Sequence, residues 1–123
     1  MEYIPDIGDV IILTIDPALG HEQQGRRPCL VLSNRKLNKL GKLITICPIT
    51  TRRKGYPIEV NLPVAMSVKG VVLSNQVMSF DWRERNLKFI EKLEKKVVKE
   101  VLQKIAIALN MDLYFPRIRT DFE

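Results

Sequence analysis

The spacing of hydrophobic residues divides the chain into a long β-rich part and a single helix near the end. Up to about residue 93, apolar residues occur in short runs rich in Val, Ile and Leu, separated by polar or turn-forming residues. Such runs are typical of short strands. We therefore predict seven strands, over residues 8–15, 29–33, 43–49, 58–62, 70–73, 76–80 and 87–93.

A helical period follows the last predicted strand. Apolar side chains recur at helical spacing over residues 97–109, lysines lie mostly on the opposite side, and Asn110 is a suitable end. This stripe favours a helix packed on the sheet over a membrane or partner-binding helix. Short strands with frequent turns followed by one helix predict a small, strongly curved sheet or partly closed barrel. The tail, residues 111–123, has no clear period, and its apolar residues would pack on the domain or on a second subunit.

Length and composition limit the chain to one globular domain. Its 123 residues, 46% of them hydrophobic, can fill one core but not comfortably two. The chain has no apolar run of ~18 residues and no basic, apolar leader, so we expect neither a membrane span nor secretion. Cys29 and Cys47 lie in apolar runs without metal-ligand spacing, which favours two buried thiols in the cytoplasm.

The net charge of +6 is unevenly distributed. The first 22 residues contain five acidic residues and no Lys or Arg, whereas no acidic residue lies between Glu22 and Glu59. A surface rich in cations attracts polyanions such as nucleic acids, although cations scattered around a solvated perimeter would have no specific role. The stretch between Glu22 and Glu59 holds nine cations, namely Arg26, Arg27, Arg35, Lys36, Lys39, Lys42, Arg52, Arg53 and Lys54.

The residue types available exclude several kinds of active site. One histidine per chain excludes a His–His acid–base pair, and no P-loop, Gly-rich dinucleotide turn or metal-ligand spacing is present. A nucleophilic triad would need His21, which lies in a polar loop and is more typical of an inert side chain. Arginine and threonine remain, and these suit a phosphodiester. If the second and third predicted strands are neighbours, Arg27 before one and Thr50 after the other would face the same phosphate.

Five segments, taken together in their order and spacing, form a specific signature. They are Y-I-P-D-I-G-D-V at residues 3–10, D-P-A-L-G-H-E-Q-Q-G-R-R-P at 16–28, V-L-S at 31–33, P-I-T-T-R-R-K-G-Y-P at 48–57 and G-V-V-L-S-N-Q-V-M-S-F-D-W-R at 70–83. Through them the chain resembles the MazF/PemK family of toxin endoribonucleases from bacterial toxin–antitoxin pairs. The resemblance implies a mainly β fold with a C-terminal helix, that is, a small SH3-like, CcdB-like β-barrel that forms a homodimer. We expect one domain over residues 1–110 and assign no role to the tail.

The resemblance also implies an activity, the cleavage of single-stranded RNA at short motifs without metal or cofactor. The RNA 2′-hydroxyl would attack the adjacent phosphorus, leaving a 2′,3′-cyclic phosphate and a 5′-hydroxyl end. The implied catalytic residues are Arg27, which would stabilise the phosphoryl charge, and Thr50, which would hold a non-bridging oxygen. Glu22 is the candidate proton acceptor, with a hydrogen bond or ion pair that orders its loop as an equal alternative.

RNA binding is expected from the basic residues around these segments, with contacts from Arg26, Arg52, Arg53 and Lys54. Gln76 either contacts bases or ties two strands together. Trp82 and Tyr56 either stack on bases or pack in the core or a dimer interface, which suits their size better. Arg26 stands where some relatives have histidine, so a histidine acid–base role at that position is in doubt here.

The family pattern further implies an acidic MazE-like antitoxin that covers the basic face, and operator DNA bound through the antitoxin complex. Two alternative functions remain open beside RNA cleavage. One is a gyrase-poisoning toxin of the same fold that acts through its C-terminal helix. The other is a non-catalytic RNA or operator binder. The segments around Arg27 and Thr50 argue against a gyrase poison, which does not need them.

Overall fold

A computed structural model of the chain describes residues 2–15 and 25–116. These ranges contain seven strands, three helices and a short 3-10 turn at Trp82–Glu84. The strands are β1 (Asp9–Ile15), β2 (Gly25–Val31), β3 (Leu43–Thr50), β4 (Glu59–Asn61), β5 (Val71–Leu73), β6 (Met78–Asp81) and β7 (Lys88–Lys92). The helices are α1 (Arg35–Gly41), α2 (Lys95–Ala108) and α3 (Met111–Tyr114). The predicted mainly β fold with a C-terminal helix is confirmed.

The strands form one antiparallel sheet in the order β4-β5-β3-β2-β1-β7, and β6 also pairs with β3. One edge of β3 pairs with β6 over residues 43–46 and then with β5 over residues 49–50. Pro48, which has no N–H to donate, lies where β3 changes partner. This change of partner bends the sheet and brings β5 against the end of β3.

The central strands are buried on both faces. Alternate residues of β1 belong to two hydrophobic clusters, with Val10 in one and Ile11 and Leu13 in the other. Helix α2 covers the first cluster with the buried stripe that the sequence predicts, including Val101. Trp82 closes the second cluster at 5% exposure and donates its indole N–H to the Asn38 carbonyl at 3.2 Å. Of the two roles considered for Trp82, core packing is therefore correct.

Three features differ from the prediction. Strand β2 begins at Gly25 instead of residue 29, because β1 is long enough to pair with Arg27 and Arg26 opposite Leu13 and Thr14. Helix α1 was not predicted, since seven residues are too few to show a helical period; the Asn34 side chain caps it by accepting the Leu37 N–H at 3.0 Å. The third is a short helix, α3, where the sequence shows no period.

The described part of the tail does not bury its apolar side chains. Leu113, Tyr114 and Phe115 are 70%, 74% and 56% exposed, so packing on the domain is the wrong alternative for these three. Packing on a second subunit stays a prediction, as does the domain boundary at residue 110. Phe122 and the rest of the tail beyond residue 116 lie outside the described residues.

Candidate active site

Arg27 and Thr50 lie at the same end of two paired strands. The ladder between β2 and β3 runs from Val31↔Ile46 to Cys29↔Pro48, where it ends. Proline at positions 28 and 48 removes backbone donors at that point. The last pair of the ladder is Cys29↔Pro48, and extending the same register by two residues would set Arg27 opposite Thr50. Opposite residues of antiparallel strands share a face of the sheet, so this register aligns the two candidate side chains.

Thr50 is fixed by contacts on several sides. It is 4% exposed and pairs with Val71 of β5. Its Oγ1 accepts the Arg52 N–H at 3.2 Å, which leaves the hydroxyl hydrogen available to donate. Gly70 packs directly on its backbone: a Cβ at position 70 would lie 2.2 Å from the Thr50 carbonyl oxygen. The Thr50 Oγ1 is therefore held in place, with its hydrogen available to donate.

Arg27 is half-buried in β2, on the face that also carries Leu13 and Cys29. Burial raises the pKa of the Cys29 thiol to about 12, with a smaller rise from Cys47 and an opposing effect from the Arg27 cation. Burial also raises the pKa of Cys47 to about 12. Both thiols are therefore protonated at neutral pH, which confirms them as buried free cysteines unsuited to nucleophilic attack.

The segment that follows Thr50, residues 51–57, forms an exposed basic loop. It carries Arg52, Arg53, Lys54 and Tyr56, so three of the predicted RNA contacts lie next to Thr50 in the fold as well as in the sequence. The Arg53 guanidinium donates to the Asn61 side-chain oxygen. Tyr56 is 57% exposed, with the Lys54 ammonium 6.0 Å from its ring centre. Tyr56 is therefore absent from the core, and base stacking or a dimer contact remains for it.

Other predicted residues lie apart from this pair. Arg26 belongs to the opposite face of β2 and donates to the Asn86 carbonyl at 2.8 Å. Gln76 is half-buried in the link between β5 and β6, along the edge of β3 away from β2. Glu22 and His21 lie outside the described residues.

The cation-rich stretch of the sequence is divided in space. Its middle part belongs to α1, which precedes β3, whereas the basic loop follows β3. The eight residues of β3 span roughly 23 Å, so the two groups of cations lie at opposite ends of that strand. The site therefore includes the basic loop but not the cations of α1.

Nowhere in residues 2–15 and 25–116 do three or more His, Cys, Asp or Glu side chains come together as metal ligands. In the same ranges, no helix is both long and apolar enough to cross a membrane.

Comparison with known proteins identifies the family. Residues 6–109 match the family described as the PemK-like, MazF-like toxin of type II toxin–antitoxin system. The chain belongs to this PemK/MazF family. Among curated relatives, the endoribonuclease toxin MazF of Escherichia coli (strain K12) is 45% identical over 83 residues, which are 68% of this chain and 74% of that protein. The endoribonuclease toxin ChpB of the same strain is 39% identical over 104 residues, 80% of this chain and 88% of the relative.

Solved structures of the PemK/MazF family share the fold. The crystal structure of MazF (Form-I) from Deinococcus radiodurans superposes with a TM-score of 0.86 at 44% identity, covering 89% of this chain and 100% of that one. A MazE–MazF structure (Form-II) from the same organism gives a TM-score of 0.79 at 38% identity, covering 89% of this chain and 98% of that one. The family match ends at residue 109, so α3 lies beyond it.

Two residues that support the site could not be recognised from the sequence. Gly70 opens the G-V-V-L segment, but only the fold shows that its missing side chain makes room for the Thr50 backbone. Glu59 reads as one polar position of an alternating strand, yet its carboxylate accepts two backbone N–H groups of the basic loop. Neither contact has a periodic or compositional signal.

Proposed function

We propose that this protein is an endoribonuclease toxin that cleaves single-stranded RNA at short sequence motifs. Membership of the PemK/MazF family and the endoribonuclease names of relatives that are 45% and 39% identical support this activity. The observation that carries the proposal is the register of the β2–β3 ladder, which aligns Arg27 with Thr50 when it is extended two residues beyond the last pair. A cation and a hydroxyl at one site can both donate hydrogen bonds to the non-bridging oxygens around a reacting phosphorus.

The proposed reaction uses the substrate's own nucleophile. The RNA 2′-oxygen forms a bond to the adjacent phosphorus while the bond from phosphorus to the 5′-oxygen breaks, so the products are a 2′,3′-cyclic phosphate and a 5′-hydroxyl end. The proton of the 2′-hydroxyl passes to a base, for which Glu22 is the candidate, and the departing 5′-oxygen gains a proton. Glu22 as a loop-ordering residue is the alternative. No metal ion or cofactor takes part.

Arg27 and Thr50 have separate tasks in this reaction. The planar Arg27 guanidinium donates to phosphoryl oxygens, whose negative charge increases in the transition state. The Thr50 hydroxyl donates to one non-bridging oxygen, since an anionic phosphoryl oxygen can only accept and the hydroxyl hydrogen is not used by the bond from the Arg52 N–H. The Thr50 side chain is held in place before substrate arrives, and such preorganisation is a large source of electrostatic catalysis.

RNA binding in this proposal depends on the basic loop. Arg52, Arg53 and Lys54 follow the RNA backbone, and Tyr56 offers an exposed ring for base stacking. Arg26 adds a cation on the other face of β2, and Gln76 contacts a base edge.

The partners follow from the same family membership. We propose a cytoplasmic homodimer that is neutralised by an acidic, MazE-like antitoxin and reaches operator DNA through the antitoxin complex. Structures of MazE with MazF from Deinococcus radiodurans support a toxin–antitoxin pairing. An acidic segment lying on the basic loop is favoured by charge complementarity.

The decisive experiment incubates purified protein with a long RNA in EDTA and maps the new 5′ ends. We expect cuts at a short motif that carry 5′-hydroxyl and 2′,3′-cyclic phosphate termini, and none where the nucleotide before the cut has a 2′-deoxy sugar. Intact RNA contradicts the proposal, with gyrase inhibition identifying a poison and a mobility shift without cuts identifying a binder. Cleavage of the 2′-deoxy substrate at the normal rate contradicts the mechanism.

A further inference from the structure

The basic loop is closed by a single acidic residue, Glu59 of β4. One carboxylate oxygen of Glu59 accepts the Lys54 N–H at 2.9 Å and the other accepts the Gly55 N–H at 3.1 Å. The Glu59 N–H in turn donates to the Tyr56 carbonyl at 3.0 Å. Gly55 has a φ of +78°, a left-handed conformation that turns the loop back toward β4. Side chain and backbone of one residue thus hold three successive residues of the loop.

Helix α2 provides a second anchor for the same loop. The Lys104 ammonium donates to the Pro57 carbonyl and, at 3.1 Å, to the Glu59 carbonyl. Lys104 itself is 4.0 Å from the Glu100 carboxylate one helical turn away. The end of the basic loop is therefore tied to the helix that covers the core, whereas its beginning continues directly from Thr50.

These contacts hold the backbone of the loop and leave its side chains exposed. Arg52, Lys54 and Tyr56 are exposed, whereas the Glu59 carboxylate is directed at backbone amides of the loop. Ordering a loop at the moment of binding costs conformational entropy and so lowers affinity. A loop held in place in advance avoids part of that cost, so the carboxylate contributes to RNA affinity without touching RNA.

We propose that Glu59 is a positioning residue for RNA recognition, which holds the basic loop so that Arg52, Lys54 and Tyr56 contact the nucleotides beside the scissile bond. The inference rests on the proposed function for its substrate. It assigns Glu59 to substrate binding and leaves the chemical step to Arg27 and Thr50.

The direction in which RNA affinity changes on Glu59→Gln distinguishes this role from a purely electrostatic one. Replacing Glu59 by Gln removes one negative charge from a basic region, which by Coulomb attraction alone strengthens RNA binding. The two loop N–H groups are bound by different carboxylate oxygens, so a glutamine in the same position replaces one of these acceptors with an NH₂ donor that faces a loop N–H. Loss of loop order therefore weakens RNA binding although the charge change favours it.

The test compares Glu59→Gln with Glu94→Gln, which makes the same charge change at an exposed residue without a side-chain capping bond. We expect Glu59→Gln to raise KM for an RNA containing the cleavage motif about tenfold, while kcat falls less than about threefold. Kd for the same RNA with a 2′-deoxy sugar at the cut should rise in parallel, and trypsin should cut after residues 52–54 faster than in the wild type. Glu94→Gln should leave all four quantities near their wild-type values.

Three results overturn the inference: KM and Kd for Glu59→Gln equal to or below those for Glu94→Gln, a loss confined to kcat, or unchanged tryptic cleavage of the loop. Glu59→Asp keeps the charge but is too short to reach both amides, so it should also raise Kd, and an unchanged Kd counts against the inference. If the wild type binds the 2′-deoxy RNA but cuts no RNA, the proposed function fails while the Kd comparison still decides the role of Glu59. A wild type that binds no RNA overturns both.

Discussion

A methyl group at position 70 is expected to displace Thr50 and thereby inactivate the enzyme. Gly70 precedes β5 and has a φ of +117°. The Cβ of an alanine there would lie 2.2 Å from the Thr50 carbonyl oxygen, 2.7 Å from its carbonyl carbon and 3.2 Å from the Thr51 Cα. All three neighbours are backbone atoms, so no side-chain rotation relieves the overlap.

The structure sets the size of the effect. Ordinary contact begins near 3.4 Å, so the Thr50 carbonyl and the new methyl group must separate by at least about 1.2 Å. Overpacking of this kind costs about 1–3 kcal/mol, and a left-handed φ adds about 1–2 kcal/mol for a residue with a Cβ. We therefore expect Gly70→Ala to lower the free energy of unfolding by about 2–5 kcal/mol. A shift of about 1 Å in a substrate-positioning group lowers the rate by about 10²-fold.

Gly25→Ala is the matched control for stability. Gly25 also has a left-handed φ, +79°, but an added Cβ there meets no atom of residues 2–15 or 25–116 within 4 Å. The difference in the free energy of unfolding between Gly70→Ala and Gly25→Ala therefore isolates the overlap with Thr50. Urea unfolding followed by Trp82 fluorescence gives both values, and single-turnover cleavage of an RNA containing the mapped motif gives the rate. If Gly70→Ala is as stable as Gly25→Ala, or cleaves RNA as fast as the wild type, the close support of Thr50 by Gly70 is refuted.

Three further predictions concern the site and the loops around it. Thr50→Val, which removes the hydroxyl and little volume, should lower the cleavage rate about 10²–10³-fold while Thr50→Ser retains most activity; equal rates for the two variants would show that the hydroxyl is not used. RNA binding should weaken as salt rises, and Arg52→Ala should reduce the slope of log Kd against log salt by about one; an unchanged slope would remove Arg52 from the RNA contacts. Glu91 accepts hydrogen bonds from Ser67 and Val68, which outweigh partial burial and hold its pKa below the ordinary 4.5. The stabilisation that ionised Glu91 gives to the fold is therefore complete above pH 4.5 and decreases as pH falls through the lower folded-state pKa. Glu91→Gln should accordingly flatten the fall in melting temperature on acidification, and an unchanged acid profile would contradict this.

The strands and the long helix could be predicted because their hydrophobic spacing reflects burial. Strands β1 and β3 are apolar runs because both of their faces are buried, and α2 shows its buried stripe directly. The start of β2 could not be predicted, because pairing with β1 extends it through Arg26, Arg27 and Pro28, a segment whose local sequence resembles a loop. Tertiary pairing outweighs local propensity there.

The candidate pair was predictable from strand ends, but its surroundings were not. Arg27 and Thr50 lie 23 positions apart in the sequence, and the β2–β3 register aligns them only when it is extended two residues beyond the ladder. By contrast, the division of the cations between α1 and the basic loop depends on the direction of β3, which composition does not reveal. The contact of Gly70 with Thr50, 20 residues away, depends on atomic packing, and those of Glu59 with Lys54 and Gly55, five and four residues away, are individual hydrogen bonds. Neither kind of contact leaves a periodic pattern.

The central claim is that Arg27 and Thr50 act on the same phosphate, and a double-mutant cycle of cleavage rates tests it most directly. Single-turnover rates are measured for the wild type, Arg27→Ala, Thr50→Val and the double variant, on one RNA containing the mapped motif. Groups that stabilise one transition state together give strongly non-additive losses. We therefore expect the double variant to be little slower than the slower single variant. A loss equal to the product of the two single losses would show that the residues act independently and would contradict the claim.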